Sequence, residues 1–126
     1  GEGQAHSDPI QFAEIAEKYP EGRFILGHTG ETFRGMNTCI GLLNRYDNLW
    51  GEISGWCFLK KGYLEYLMQR VPKDRILFGS DFGWLDPRAM LGVVLHADIP
   101  EEIKRHIFWE NAKALWKGGN HGPFAG

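Results

Sequence analysis

The chain has 126 residues, 43% hydrophobic and 24% charged, with a formal net charge of -2. That is the composition of one soluble globular unit, and it leaves no room for a second domain of ordinary size. The slightly acidic balance argues against a nucleic-acid or membrane-surface partner, and no apolar run approaches the ~20 residues of a membrane helix.

The first structural signal is Ser7-Asp8-Pro9, a capping pair followed by a residue suited to the first helical turn. Phe12, Ile15, Ala16 and Tyr19 then recur at helical spacing opposite Glu14 and Lys18, and Pro20-Glu21-Gly22 ends the helix. Arg23 to Leu26 reads as a strand, followed at once by Gly27-His28-Thr29-Gly30. Strand alternation carried through this stretch places His28 on the side of Leu26 and Phe24. Phe33 to Arg45 forms the next helix, weakened by Gly35 and Gly41. Asp47-Asn48 turns the chain into a strand over Leu49 to Ile53, closed by Ser54-Gly55. Glu52 and Ser54 lie on one of its sides, and Leu49, Gly51 and Ile53 on the other.

Gly62 to Val71 is a third helix with Leu64, Leu67 and Met68 on one stripe, stopped by Pro72. Asp74 to Trp84 then holds the stretch on which the chain turns. Ile76, Leu77 and Phe78 make a short apolar strand that breaks at Gly79 into Ser80 and Asp81. Asp86-Pro87 starts a helix through Met90, Leu91, Val94 and Leu95. In Ile99-Pro100-Glu101-Glu102 the acids fall in a first turn, where the helix dipole favours them. Ile103, Ile107 and Phe108 give that helix its apolar face. Glu110-Asn111-Ala112 leads into a last turn or helix through Leu115 and Trp116, and Lys117 to Gly126 is a glycine-rich tail.

Strands alternating with helices imply an α/β fold with a parallel sheet and right-handed crossovers. In such folds the carboxyl ends of the strands form the working edge. Each strand here ends in polar residues beside glycine: His28, then Glu52 and Ser54, then Asp81. An imidazole and a carboxylate at one edge are half of a metal or acid–base site, whereas catalytic zinc takes about three protein ligands. Asp81 alone also reads as a helix cap, Glu52 as a barrel carboxylate paired with Arg23 or Arg75, and Ser54 as a cap. Trp56, Phe82 and Trp84 follow strand ends, where aromatic residues either line a mouth or pack. His96, His106 and His121 read as surface residues, and His6 as part of the approach to a helix. Cys39 and Cys57 are unpatterned, the mark of free, half-buried thiols and a reducing, cytoplasmic setting.

Ile25-Leu26-Gly27-His28-Thr29-Gly30, Leu49 to Gly55, Arg75 to Asp81 and Glu110-Asn111-Ala112 together resemble the C-terminal half of the amidohydrolase superfamily. The similarity is to the amidohydrolase-related branch that includes aminocarboxymuconate-semialdehyde decarboxylase, and it runs from about Ser7 to Trp116. The resemblance implies a metal-dependent (β/α)8 barrel of which residues 1–116 form the last three strands, with 117–126 as tail. It implies a divalent metal, zinc, and a small carbon–nitrogen, ester or carboxylate substrate, consumed by hydrolysis or by decarboxylation. Asp81 then touches the metal and handles the proton of its water, while His28 polarises the substrate or binds a metal. The family's His-x-His on the first strand and its fifth-strand histidine have no counterpart. That departure, with an opening Gly1-Glu2-Gly3-Gln4 that lacks methionine, gives the expectation of a partial barrel completed by an N-terminal half. The alternative is a non-catalytic half-barrel that pairs with a copy of itself or another chain.

Overall fold

The computed structural model describes residues 9–79 and 87–118. Helix α1 spans Gln11–Lys18, with Ile10 rather than a polar side chain at its N-cap. It begins later than Ser7-Asp8-Pro9 suggests, and Ser7 and Asp8 lie outside the described residues. Strand β1 (Phe24–Leu26) runs into a 3-10 turn over Gly27–Gly30. Helix α2 (Phe33–Arg45) is capped by Thr32, whose hydroxyl accepts the Gly35 N–H at 2.9 Å. Strand β2 (Leu49–Glu52), a 3-10 turn (Trp56–Leu59), helix α3 (Tyr63–Met68) and strand β3 (Ile76–Leu77) follow. After the undescribed 80–86 come α4 (Pro87–His96), α5 (Glu101–Arg105), a π-type turn (His106–Glu110) and α6 (Asn111–Gly118). The last helix thus takes in Lys117 and Gly118, assigned above to the tail.

The three strands form one parallel sheet in the order β1-β2-β3. Phe24 pairs with Leu49 and Leu26 with Gly51, and Gly51 and Glu52 pair with Ile76 and Leu77, so the carboxyl ends lie nearly level. Pleating divides the residues between two faces. Leu26, Leu49, Ile53 and Ile76 are buried in the core with Met36, Leu43, Leu64, Leu67, Met90 and Val94. The other face carries the half-buried Trp50 and Glu52 on β2 and the exposed Ile25 on β1. Each strand therefore spends one apolar row on the helices, while the second row mixes Trp50 and Glu52 of β2 with Ile25 of β1 and the buried Leu77 of β3.

Helix spacing predicts most of this core. Leu64, Leu67 and Met68 are buried, as are Met90 and Val94, while Leu91, Leu95 and Tyr19 are exposed. Neither cysteine forms a disulfide, and both are buried rather than half-buried. Gly35 of α2 serves a close contact. A Cβ there would sit 2.1 Å from the Gly30 carbonyl oxygen, so glycine is what lets the turn after β1 pack on the helix.

The C-terminal segment is fastened to the sheet by Asn111. Its amide, 1% exposed, donates to the carbonyls of Lys73 at 2.7 Å and Ile76 at 2.8 Å. His106 Nδ1 lies 2.9 Å from the Asn111 side-chain oxygen, which makes His106 a half-buried anchor and not the surface residue expected. The Phe78 N–H donates to the Ile107 carbonyl at 3.0 Å, so the π-type turn closes the end of β3. No helix among the described residues is long and apolar enough to cross a membrane.

Candidate functional site

Beyond the carboxyl ends of β1 and β2, four residues form one hydrogen-bonded cluster. Glu52 Oε1 accepts the backbone N–H of His28 at 2.6 Å and the Ser54 hydroxyl at 2.7 Å. Glu52 Oε2 accepts the Ser54 backbone N–H at 3.0 Å. His28 Nδ1 lies 2.7 Å from Ser54 Oγ and 3.3 Å from Glu52 Oε1. Thr29, fully buried, donates its hydroxyl to the Glu52 carbonyl at 2.7 Å. Hydrogen bonds to an ionised carboxylate are about twice as strong as neutral ones, so Glu52 is the centre that ties the β1 turn to β2.

The turn itself explains how His28 reaches this cluster. Alternation puts His28 on the Leu26 side, under the helices, and the structure overrides it. His28 and Thr29 have φ of 56° and 42°, and Glu31 has φ of 64°, all left-handed and costly for residues with a Cβ. The backbone therefore leaves the extended path at Gly27 and brings the His28 ring against Glu52 and Ser54. Three non-glycine residues in this region persist only where surroundings fix them, and the Glu52 carboxylate and the Thr29 hydroxyl are the fixing contacts.

Three glycines make the space. A Cβ at Gly79 would sit 2.0 Å from Glu52 Oε2, and one at Gly51 would sit 2.7 Å from Thr29 Oγ1. One at Gly55 would sit 3.0 Å from His28 Nδ1. The end of β3 thus takes part in the cluster through the side chain that Gly79 lacks.

Of the residues expected at the edge, the structure joins His28, Glu52 and Ser54. Glu52 pairs with His28 and Ser54 and with neither arginine. Arg75 instead donates from Nη1 to the Tyr46 and Leu49 carbonyls at 2.9 and 3.0 Å, at the amino end of β2, and its guanidinium lies over Trp50. Arg23 Nη1 donates to the Leu115 carbonyl at 3.2 Å. Ser54 links His28 to Glu52, a larger part than a cap. Asp81 lies outside the described residues, as do Ser80, Phe82, Trp84, His6 and His121. Among the described residues no three His, Cys, Asp or Glu side chains come together to hold a metal ion. His28 Nε2 takes no hydrogen-bond partner among the described residues. Thr29 and Gly79 were not singled out from the sequence. The recurrence of glycine at all three strand ends was the available signal.

Three parallel strands with level carboxyl ends, helices against one face and a polar cluster at that edge define a segment of a parallel α/β barrel. A family model described as amidohydrolase matches residues 1–118, and the chain belongs to that family. Solved structures agree on the fold. A 2,6-dihydroxybenzoate decarboxylase from Rhizobium is 22% identical with a TM-score of 0.68, matched over 90% of this chain and 40% of its own. A dihydroxybenzoic acid decarboxylase from Polaromonas, with bound manganese and the inhibitor 2-nitroresorcinol, is 21% identical with a TM-score of 0.65, over 90% and 39%. A 5-carboxyvanillate decarboxylase from Sphingomonas paucimobilis is 18% identical with a TM-score of 0.61, over 82% and 36%. The chain spans about two fifths of these proteins' length, and its fold is part of the amidohydrolase barrel. No curated protein matches the chain.

Proposed function

We propose that this chain supplies the last three strands of a divalent-metal hydrolase barrel that acts on a small carbon–nitrogen, ester or carboxylate substrate. The observation that carries the reading is the His28 ring, held by Ser54 and Glu52 at the carboxyl edge with no hydrogen-bond partner on Nε2 among the described residues. An imidazole whose other nitrogen is braced by a hydroxyl and a carboxylate is the arrangement that orients histidine for a metal or a reacting oxygen. His28 and Asp81 are the residues proposed to act. His28 binds the metal or polarises the substrate, and Asp81 touches the metal and takes up a proton. The metal, when bound, lowers the pKa of a coordinated water and draws charge from a substrate oxygen.

Zinc suits an imidazole-and-carboxylate donor set and is our reading of the ion. Manganese, which the Polaromonas protein holds, is the ion to compare with it. Among the described residues no three ligating side chains come together, so further ligands come from Asp81 and from strands that these residues do not form. A second reading, decarboxylation of an aromatic carboxylate, is favoured by the similarity to the Rhizobium, Polaromonas and Sphingomonas decarboxylases.

The test is turnover by the barrel completed with its remaining strands, stripped of metal and then given zinc or manganese. Amide and ester substrates report hydrolysis, and hydroxybenzoates report loss of carbon dioxide. Metal-restored turnover of one class, reduced at least ~100-fold in Asp81→Asn, is the expected result for a group engaged in proton transfer. A metal-loaded barrel inert towards both classes contradicts the proposal and leaves a binding role.

A further inference from the structure

We propose that Glu52 is a positioning residue that fixes His28 as its Nδ1–H tautomer and so presents Nε2 as an unprotonated acceptor. The inference rests on the reading of His28 as a site residue and deepens it. Its ground is the direction of the hydrogen bonds. An ionised carboxylate only accepts. The single Ser54 hydroxyl proton is directed at Glu52 Oε1, 2.7 Å away, so Ser54 Oγ faces His28 Nδ1, 2.7 Å away, with lone pairs. A neutral imidazole carries one proton, and facing an acceptor that proton sits on Nδ1. A free imidazole side chain favours the opposite tautomer, so the protein imposes this one.

Glu52 is the origin of the direction because its other contacts leave it no alternative. Oε1 also takes the His28 N–H at 2.6 Å, and Oε2 takes the Ser54 N–H at 3.0 Å. The donors converge on one side chain and on both strand ends, and Gly79 leaves the room that the carboxylate fills. Replacing Glu52 by Ala removes that acceptor. The Ser54 hydroxyl proton is then free to turn to His28 Nδ1, 2.7 Å away, and the ring proton moves to Nε2, the tautomer a free imidazole favours.

The test is the tautomer of His28, read from the 15N signals of histidine-labelled full chain at a pH of about 8, where an ordinary imidazole is neutral. Metal is absent, so the readout is separate from turnover. The expected result is an Nδ1–H signature in the wild type, lost in Glu52→Ala. Ser54→Ala retains it, because Glu52 Oε1 lies 3.3 Å from Nδ1 and accepts directly. A predominantly Nε2–H ring in the wild type overturns the proposal, as does a folded Glu52→Ala chain with the wild-type tautomer. Should Glu52→Ala fail to fold, Ser54→Ala decides: its change to Nε2–H shows that the hydroxyl and not Glu52 sets the tautomer. An inert metal-loaded barrel whose His28 is Nδ1–H would refute the function proposed above while leaving this assignment intact.

Discussion

Substituting Gly79 by Ala tests the cluster through a residue that touches it only by lacking a side chain. The new Cβ would lie 2.0 Å from Glu52 Oε2, against a closest tolerable approach of about 3.0 Å, so the carboxylate must retreat by at least 1.0 Å. The Gly79 backbone is not in the left-handed region, so alanine brings no conformational strain of its own. The cost is the loss of contacts at Glu52, chiefly the Ser54 N–H bond to Oε2 at 3.0 Å. A hydrogen bond to a charged group contributes about 1.5–3 kcal/mol, and removing glycine from the unfolded chain returns about 0.4–1 kcal/mol. The net expectation is destabilisation by about 1–2 kcal/mol in urea unfolding. In a Glu52→Ala background the carboxylate is gone, and the same substitution should be neutral or stabilising by about 0.4–1 kcal/mol. Equal effects in the two backgrounds, or a stabilised single variant, would refute the placement of Glu52 against Gly79.

Three further outcomes follow from the packing. Asn111→Ala leaves the Lys73 and Ile76 carbonyls without their donor, and urea unfolding should show a loss of about 2–4 kcal/mol. Gly41→Ala places a methyl where nothing lies within 4 Å on an exposed face of α2, and the same assay should show a gain of about 0.5–1 kcal/mol. The Lys73 ammonium, bonded to Glu102 at 2.7 Å, holds the Glu102 carboxyl below its usual range. The depressed folded value means that this pair supports the fold above the ordinary carboxylate range and loses that support as pH falls through the lowered value. An NMR titration of Glu102 should therefore show a low midpoint that rises in Lys73→Met.

Much of the scaffold was legible because periodicity and punctuation agree. Helix α2 has the bounds read from Phe33 to Arg45, and the β2 alternation correctly put Glu52 and Ser54 opposite Leu49, Gly51 and Ile53. The edge cluster was legible as a set of residue types but not as a set of contacts. Reading His28 by strand alternation sent it to the helix-covered side, because nothing in Gly27-His28-Thr29-Gly30 announces left-handed backbone at His28 and Thr29. That conformation is imposed from β2, through Glu52 and Thr29. Arg75 was a plausible partner for Glu52 by charge alone, but on a strand only a few residues long the amino and carboxyl ends are separate sites. The expected surface His106 is held by Asn111 five residues on, in a π-type turn whose widened register helical spacing does not foresee.

We propose above that His28 and Asp81 belong to a divalent-metal site that this chain shares with the rest of a barrel. Titration of zinc and of manganese into the 126-residue chain alone, and into the barrel completed with its remaining strands, tests it most directly. The expected result is one tightly bound ion in the completed barrel, weakened at least ~10-fold in Asp81→Asn, and only weak binding by the chain alone. Tight binding by the chain alone that survives both His28→Ala and Asp81→Asn would contradict it.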